Sequence, residues 1–437
     1  MRSRREASKR NGFEHELGGL MRRFRWLVVV AVAALAASAL TLSATAGART
    51  RTDTPGITST EIKVAGLVDA NAADTGIGAR ARFDEENAKG GVNGRKITLV
   101  ETPSDNGDPN QDLSVAKRLV EQDGVAAIVP VQSVVFQAGT YLAQQKIPFF
   151  GWGISTQFYK NPYAFGFTGA AVAPAPLKST NASWAMSIDT MLKLQGTKTG
   201  AKGKTAAIIA QENDSGAVGL IADVAAAKAA GMKVVYQKAS IPFPTPPGDY
   251  TPYVTQLMTS AGGKPPDIIF VVTQANVVIG LGQALNQAGF TGIQTNAALY
   301  DPRAAAVAKG QTVYTQFNVP EDTTNANMQK VVTSLKAALG TKPITQTALS
   351  GYFGADMFIQ ALRKAGKNPT SQLIQQAASK MTYQIKGVVG PTKYPKSQVL
   401  ASPCATLTLS DGTGYKIVAP YKCYENITIP GGKPIKY

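Results

Sequence analysis

Two short stretches carry residues whose types and spacing could hold a small molecule. In Val129-Pro130-Val131-Gln132-Ser133-Val134 an apolar, strand-like run ends in two polar side chains and passes into a helical pattern. Ser133 would then lie near a helix N-terminus, where open backbone N–H groups and the helix dipole favour a carboxylate or another negative group. A serine that only caps its own helix fits the same residues. In Phe149-Phe150-Gly151-Trp152-Gly153-Ile154-Ser155-Thr156 two glycines flank Trp152, so backbone can approach a bound molecule closely and the indole can face it. A core tryptophan between two turn glycines is the alternative.

Covalent and metal chemistry is largely excluded. The single histidine is His15, in a segment expected to be removed, so histidine bases, Ser-His-Asp or Cys-His sites and His-containing zinc sites are absent from the rest. Asp69, Asp74 and Glu212 leave a carboxylate-based secreted enzyme as an alternative, but no nucleophile is paired with a base. Lys202-Gly203-Lys204-Thr205 imitates the end of a phosphate-binding loop; position 198 is Lys where Gly is needed, and the segment enters a strand instead of leaving one. No metal or other cofactor is expected.

The elements that must position these residues belong to two domains, as 437 residues with 44% apolar and 17% charged content imply. Residues 1–48 read as a signal peptide: a basic Met21-Arg22-Arg23-Phe24-Arg25, an uncharged apolar run from Trp26 to Leu42, and a small-residue cleavage pattern at Ala46-Gly47-Ala48. The start is either Met1 or Met21, and the other outcome is an uncleaved tether. No cysteine follows the run to carry a lipid. Eight Lys/Arg and three Asp/Glu lie in that segment, so a formal net charge of +17 falls to +12 without it. The positive residues are scattered, which speaks against nucleic acid; an exported chain in the periplasm or extracellular space meets anionic polymers and solutes first. Cys404 and Cys423 flank Ala405–Leu409, a turn at Asp411-Gly412-Thr413-Gly414, and Tyr415–Val418, a hairpin whose ends an oxidising compartment could tie with a disulfide.

Short β-branched runs alternate with helix-length segments, the signature of parallel sheets with crossover helices. Strands fit Glu61–Val68, Ile97–Glu101, Ala126–Val131 and Phe149–Gly151, with helices at about Ile77–Lys89, Pro109–Gln122 and Val134–Gln145. A second series has a long helix at about Pro176–Leu194, strands at Thr205–Ala210, Lys233–Lys238, Asp267–Thr273, Gln294–Ala298 and Thr312–Gln316, and helices at Ala217–Ala230 and Val277–Ala288. Pro242–Pro252 reads as a loop, and helices at Asn325–Leu339, Ala348–Ala365 and Ser371–Lys380 follow.

Gly90-Gly91-Val92-Asn93-Gly94-Arg95-Lys96-Ile97, Asp105-Asn106-Gly107-Asp108-Pro109, Arg118-Leu119-Val120-Glu121-Gln122, Lys146-Ile147-Pro148 and Leu299-Tyr300-Asp301-Pro302, in this order and spacing, resemble the branched-chain amino acid (Leu/Ile/Val-type) substrate-binding proteins of ABC importers. The resemblance runs from about Ile57 to Gly390. It implies an α/β fold of two Rossmann-like lobes, type I periplasmic-binding topology, joined by three crossovers: lobe one at 57–171 and 319–391, lobe two at 172–318 and 392–437. It further implies a monomer that captures a small molecule and delivers it to an ABC permease. Ser133 matches the family's carboxylate-binding serine, and Gly153 and Ser155 match positions that hold the amino acid head group. On lobe two, Ser215-Gly216 and Gln274 stand where the family has tyrosines, and Ala297 stands where an acid would hold the α-ammonium. The expected ligand therefore has a carboxylate or amide end and an uncharged body without an α-ammonium, with Trp152, Tyr300 and Tyr352 giving flat surface and Asn296 a carbonyl oxygen. The alternatives are a branched-chain amino acid whose ammonium is held by Asp69, Asp74 or Glu212, and a ligand-sensing protein of the same fold.

Overall fold

The computed structural model describes residues 55–174, 182–186, 188–295 and 299–437, side chains of 182–186 excepted. The expected signal segment and the expected contributions of Asn296 and Ala297 lie outside the described residues.

The first sheet is parallel throughout, in the order β2-β1-β3-β4-β5: β1 (Glu61–Val68), β2 (Lys96–Leu99), β3 (Ala127–Gln132), β4 (Phe149–Gly151) and β5 (Ala164–Gly166). Helices α1 (Asp74–Ala88), α2 (Pro109–Glu121) and α3 (Gly139–Gln144) connect its strands. Because helices cover both faces, β3 is buried at all six positions and reads as an unbroken apolar run. One face carries Val64, Phe150 and Phe165; the other carries Leu67, Ile128 and Phe149.

Further along lie β6 (Ala182–Met186), α4 (Ile188–Leu194), β7 (Thr205–Gln211), α5 (Asp214–Ala229), β8 (Lys233–Ile241), α6 (Thr251–Met258), β9 (Ile268–Val272), α7 (Ala275–Gln287), β10 (Ile293–Thr295) and β11 (Thr312–Thr315). The second sheet, also parallel, runs β10-β9-β7-β8. The chain then returns to the first sheet through α8 (Ala326–Leu339), α9 (Gln346–Lys364) and α10 (Ser371–Ala378), with α9 packed on α1, β3 and β4. Strands β12 (Thr382–Ile385) and β13 (Val389–Lys393) form a hairpin. Finally β14 (Cys404–Ser410) and β15 (Tyr415–Cys423) extend from β11, and β16 (Glu425–Ile429) bridges β6 and β17 (Pro434–Ile435). Cys404 and Cys423 face each other at the hairpin's open end, and their sulfurs are bonded.

Helices α1 and α9 cross with backbones touching. A Cβ on Gly78 would lie 1.9 Å from the Ala348 carbonyl oxygen, and one on Gly351 would lie 1.9 Å from that of Thr75. A buried charge cluster fastens the same pair. Arg82 Nε donates to Asp356 Oδ1 at 2.8 Å and Nη1 to Glu86 Oε2 at 3.1 Å, while Arg363 reaches Glu86 from the rim.

Three segments differ from the sequence reading. Among its described residues the helix expected over Pro176–Leu194 contains a strand, Ala182–Met186, recruited as a partner for β16, followed by helix at Ile188–Leu194. The helix expected from Val134 starts only at Gly139. Its first open N–H groups, on Gln137 and Ala138, are bound instead by the Asp112 carboxylate at 2.7 and 2.8 Å, so the chain from Ser133 to Ala138 stays irregular. Lastly, Thr251–Met258 is a helix with Pro252 in its first turn, which cuts short the expected loop.

Candidate ligand-binding site

Both parallel sheets point their carboxyl ends at one cavity of about 220 Å³. From the first sheet come Asp69 after β1, Gln132 at the end of β3, Trp152 after β4, and Gln346 and Thr347 at the start of α9. From the second come Gln211 at the end of β7, Asn213 and Ser215 at the start of α5, and Thr273 and Gln274 ahead of α7. Tyr314 and Gln316 enter from β11 and the residue just beyond it. Strand ends of open α/β sheets are where such folds bind ligands, because helix N-termini and loop side chains converge there.

The apolar part of the wall is Trp152 with Ile154, Val172, Val218, Ala222 and Val272. Trp152 is 8% exposed; its ring stacks on Phe167 at 6.1 Å and meets Phe317 edge-on at 6.1 Å. Its indole N–H donates to Gln316 Oε1 at 3.0 Å.

Among the described residues the polar part holds no lysine, arginine or histidine, and Asp69 is the only carboxylate. Asp69 caps the short turn Ala70–Ala72 by accepting the Asn71 N–H at 2.8 Å. Burial raises its pKa to about 6, against the lowering effect of that N–H, and the charge of Asp105 adds to the rise. The phenol of Tyr314 is pushed up by burial and so stays neutral. Further hydrogen bonds cross the cleft at the cavity wall. Asn71 Nδ2 donates to Gln274 Oε1 at 3.4 Å, and the Ser215 hydroxyl lies 3.0 Å from the Val134 carbonyl and 3.3 Å from that of Ile154.

Among the residues singled out in the sequence, Asp69, Gln132, Trp152, Ser215, Gly216 and Gln274 come together on the cavity wall. The other described ones lie elsewhere. Ser133, 1% exposed, accepts the Val135 N–H at 3.1 Å and lies beside the buried Asp105, whose raised pKa it opposes; it stands well ahead of the helix N-terminus expected to serve it. Ser155 donates to the Phe136 carbonyl at 2.9 Å and caps a single turn over Thr156–Phe158. Gly153 permits a backbone contact: a Cβ there would lie 2.2 Å from the Gly169 carbonyl. Tyr300 donates to Glu321 at 2.5 Å and packs on Tyr415, and Tyr352 donates to Glu85 at 2.9 Å. Of the alternative acids Asp69 is on the wall, whereas Asp74 accepts from Thr345 at 3.0 Å and neither it nor Glu212 is on the wall. Gln211 and Gln316 were not singled out. Their signal was nevertheless present: Pro-Val-Gln132, Ile-Ala-Gln211, Val-Thr-Gln274 and Tyr-Thr-Gln316 each place a glutamine directly after an apolar strand run.

Residues 62–413 match the family model described as periplasmic binding protein. The chain belongs to that family. Among its relatives, Leu/Ile/Val-binding protein homolog 7 of Brucella suis is 26% identical over 331 residues, 69% of this chain and 75% of that protein. Similar solved structures include a fatty acid ABC transporter substrate-binding protein from Thermomonospora curvata (TM-score 0.66, 19% identity, 84% of this chain and 94% of that one). Another is an ABC transporter solute-binding protein from R. palustris in complex with benzoate (TM-score 0.65, 15% identity, 83% and 98%). These likenesses establish type I periplasmic-binding topology with two Rossmann-like lobes. The protein is a solute-binding component of the ABC-transporter class, working outside the cytoplasm, and not an enzyme. Among the described residues no helix is long and apolar enough to cross a membrane.

Proposed function

We propose that this periplasmic binding protein captures a small carboxylate- or amide-bearing molecule between its lobes and hands it to an ABC permease. The lobes of this reading are residues 57–171 with 319–391 and residues 172–318 with 392–437. One observation carries it: the cavity wall is drawn from strand ends of both sheets, so a molecule inside touches both lobes at once. A ligand that contacts both lobes better when they are shut shifts a hinge equilibrium toward closure, and no further machinery is required. The apolar wall around Trp152 suits an uncharged body. The polar rim of Gln132, Gln274 and their neighbours suits a hydrogen-bonding end. Export through cleavage after Ala48, and an oxidising compartment that forms the Cys404–Cys423 bond, belong to the same reading.

A branched-chain amino acid is the second reading, favoured by Asp69, which alone among the described wall residues could face an ammonium group with a carboxylate. A thermal-shift screen with Trp152 fluorescence tests both. Leucine, isoleucine and valine are compared with their 2-keto acids, simple carboxylates and amides. A ligand at a hundred times its dissociation constant should stabilise the fold by about 2.7 kcal/mol. Stabilisation by the amino acids alone decides for the second reading, and stabilisation by none of these classes defeats the capture of small carboxylates or amides.

A further inference from the structure

The orientation of two glutamine side chains in the cavity is fixed by groups that can only donate. The Trp152 indole N–H faces Gln316 Oε1 at 3.0 Å, and the Gln274 backbone N–H faces Gln211 Oε1 at 3.2 Å. Both carboxamides must therefore turn their NH2 groups the other way. Gln211 is 2% exposed, and its Nε2 has no hydrogen-bond partner among the described residues, an arrangement that costs about 1–3 kcal/mol unless an acceptor is supplied. Beside it, α7 follows its N-cap Gln274, whose side chain makes no cap; Asn276 Oδ1 accepts the Val277 N–H at 2.9 Å, which leaves the N–H groups of Ala275 and Asn276 for a ligand. This side of the cavity thus offers donors that carry no formal charge.

The acceptor is on the opposite lobe. Asp69 Oδ1 takes the Asn71 N–H, while Oδ2 takes no hydrogen bond from the described residues. Asn71 in turn donates across the cleft to Gln274 Oε1, and Gln274 to Gln211, so acceptor and donors are links of one hydrogen-bonded chain across the cavity.

Resting on the capture reading above, we propose that the ligand's polar end is a neutral carboxamide or urea-type group. Its carbonyl oxygen is read by the NH2 groups of Gln211 and Gln316, and its N–H by Asp69. A carboxylate would share a small, partly dehydrated space with Asp69 and meet no cationic side chain among the described residues, an uncompensated like-charge pair. An ammonium group would bring three donors to a wall whose glutamine oxygens at 211, 274 and 316 already accept from protein N–H groups. An amide matches both sides with no net charge, and leaves Trp152 for the hydrocarbon body.

The test is calorimetric titration of the mature full-length chain with compounds matched in carbon skeleton: isobutyramide, isovaleramide and benzamide, the corresponding carboxylates and amines, and valine and leucine. The expected result is measurable binding of at least one amide, with its acid and amine at least tenfold weaker. Gln211→Glu and Gln316→Glu, titrated at pH 8 and above so that the buried carboxyl is ionised, keep an acceptor for the N–H that fixes each side chain and remove the donor. Each should weaken the amide at least tenfold with the melting temperature of the free protein held. An acid or amino acid that binds more tightly than its amide, or amide binding indifferent to both substitutions, overturns the assignment and leaves capture between the lobes standing. If no compound of any class binds, the capture reading falls as well. Should a variant fail to fold, the ranking of amide, acid and amine on the unsubstituted protein decides alone.

Discussion

Asp112→Asn should make the protein less sensitive to pH, and the structure sets both the sign and the size. Asp112 is fully buried in α2, where its Oδ2 accepts the Gln137 and Ala138 N–H groups and its Oδ1 has no partner. Burial raises its pKa from 3.8 to about 7, the two N–H groups pull the other way, and the charge of Asp105 adds to the rise. In the unfolded chain the proton leaves near pH 4, whereas in the folded chain it leaves near pH 7. Between those values folding takes up a proton, so the folded state is favoured at the acid end and loses stability as pH rises, with the loss complete above about pH 7. A difference of this size corresponds to about 4 kcal/mol as an upper value. Asparagine keeps an oxygen for the two N–H groups and cannot ionise. Urea melts of both proteins at pH 5 and pH 8 give the comparison as a double difference, in which other buried acids such as Asp69 cancel. Relative to the parent, the variant should gain about 2–3 kcal/mol between pH 5 and pH 8. A difference between the two proteins that stays constant over that range would refute the reasoning.

Gly351→Ala forces a methyl group against the Thr75 carbonyl and should cost about 2–3 kcal/mol in a urea melt; a loss below about 0.5 kcal/mol would show that α1 and α9 can simply part. Arg82→Ala strips the buried Asp356 and Glu86 of their shared cation and should cost about 3–5 kcal/mol, with much of it recovered in Arg82→Met combined with Asp356→Leu. Equal stability of the single and double variants would contradict this. Breaking the Cys404–Cys423 link, which closes a sequence separation of 19, should lower stability by about 3 kcal/mol in Cys404→Ala/Cys423→Ala, and reductant should then change the melting temperature of the parent only.

The parallel sheets were legible because strands covered on both faces leave continuous apolar runs, and Glu61–Val68 and Phe149–Gly151 run to the residue as read. What escaped was decided by distant partners. Ala182–Met186 continues into helix in its local pattern and becomes a strand only because β16, more than two hundred residues later, pairs with it. The helix after Ser133 loses its first turn to a carboxylate on α2, and with it goes the local argument that gave Ser133 an anion to hold. Trp152 was legible as a wall residue candidate from its flanking glycines, although the glycine after it serves the backbone of Gly169 and not a ligand. Residues 211 and 316 carry their meaning in a recurrence, a polar amide closing each of four apolar runs, which no single stretch displays.

The crossing of α1 with α9 also sets a timetable for synthesis. Arg82 and Asp356 are 274 residues apart in sequence. At ~5–20 residues per second a ribosome needs roughly 15–55 s to travel that far, and until then α1 and one face of the first sheet have no cover. The strands of the second sheet all fall within residues 205–295, so that sheet can pair while the first still waits for α9. An N-terminal region unable to complete its core while still being made stays unlocked until α9 has emerged.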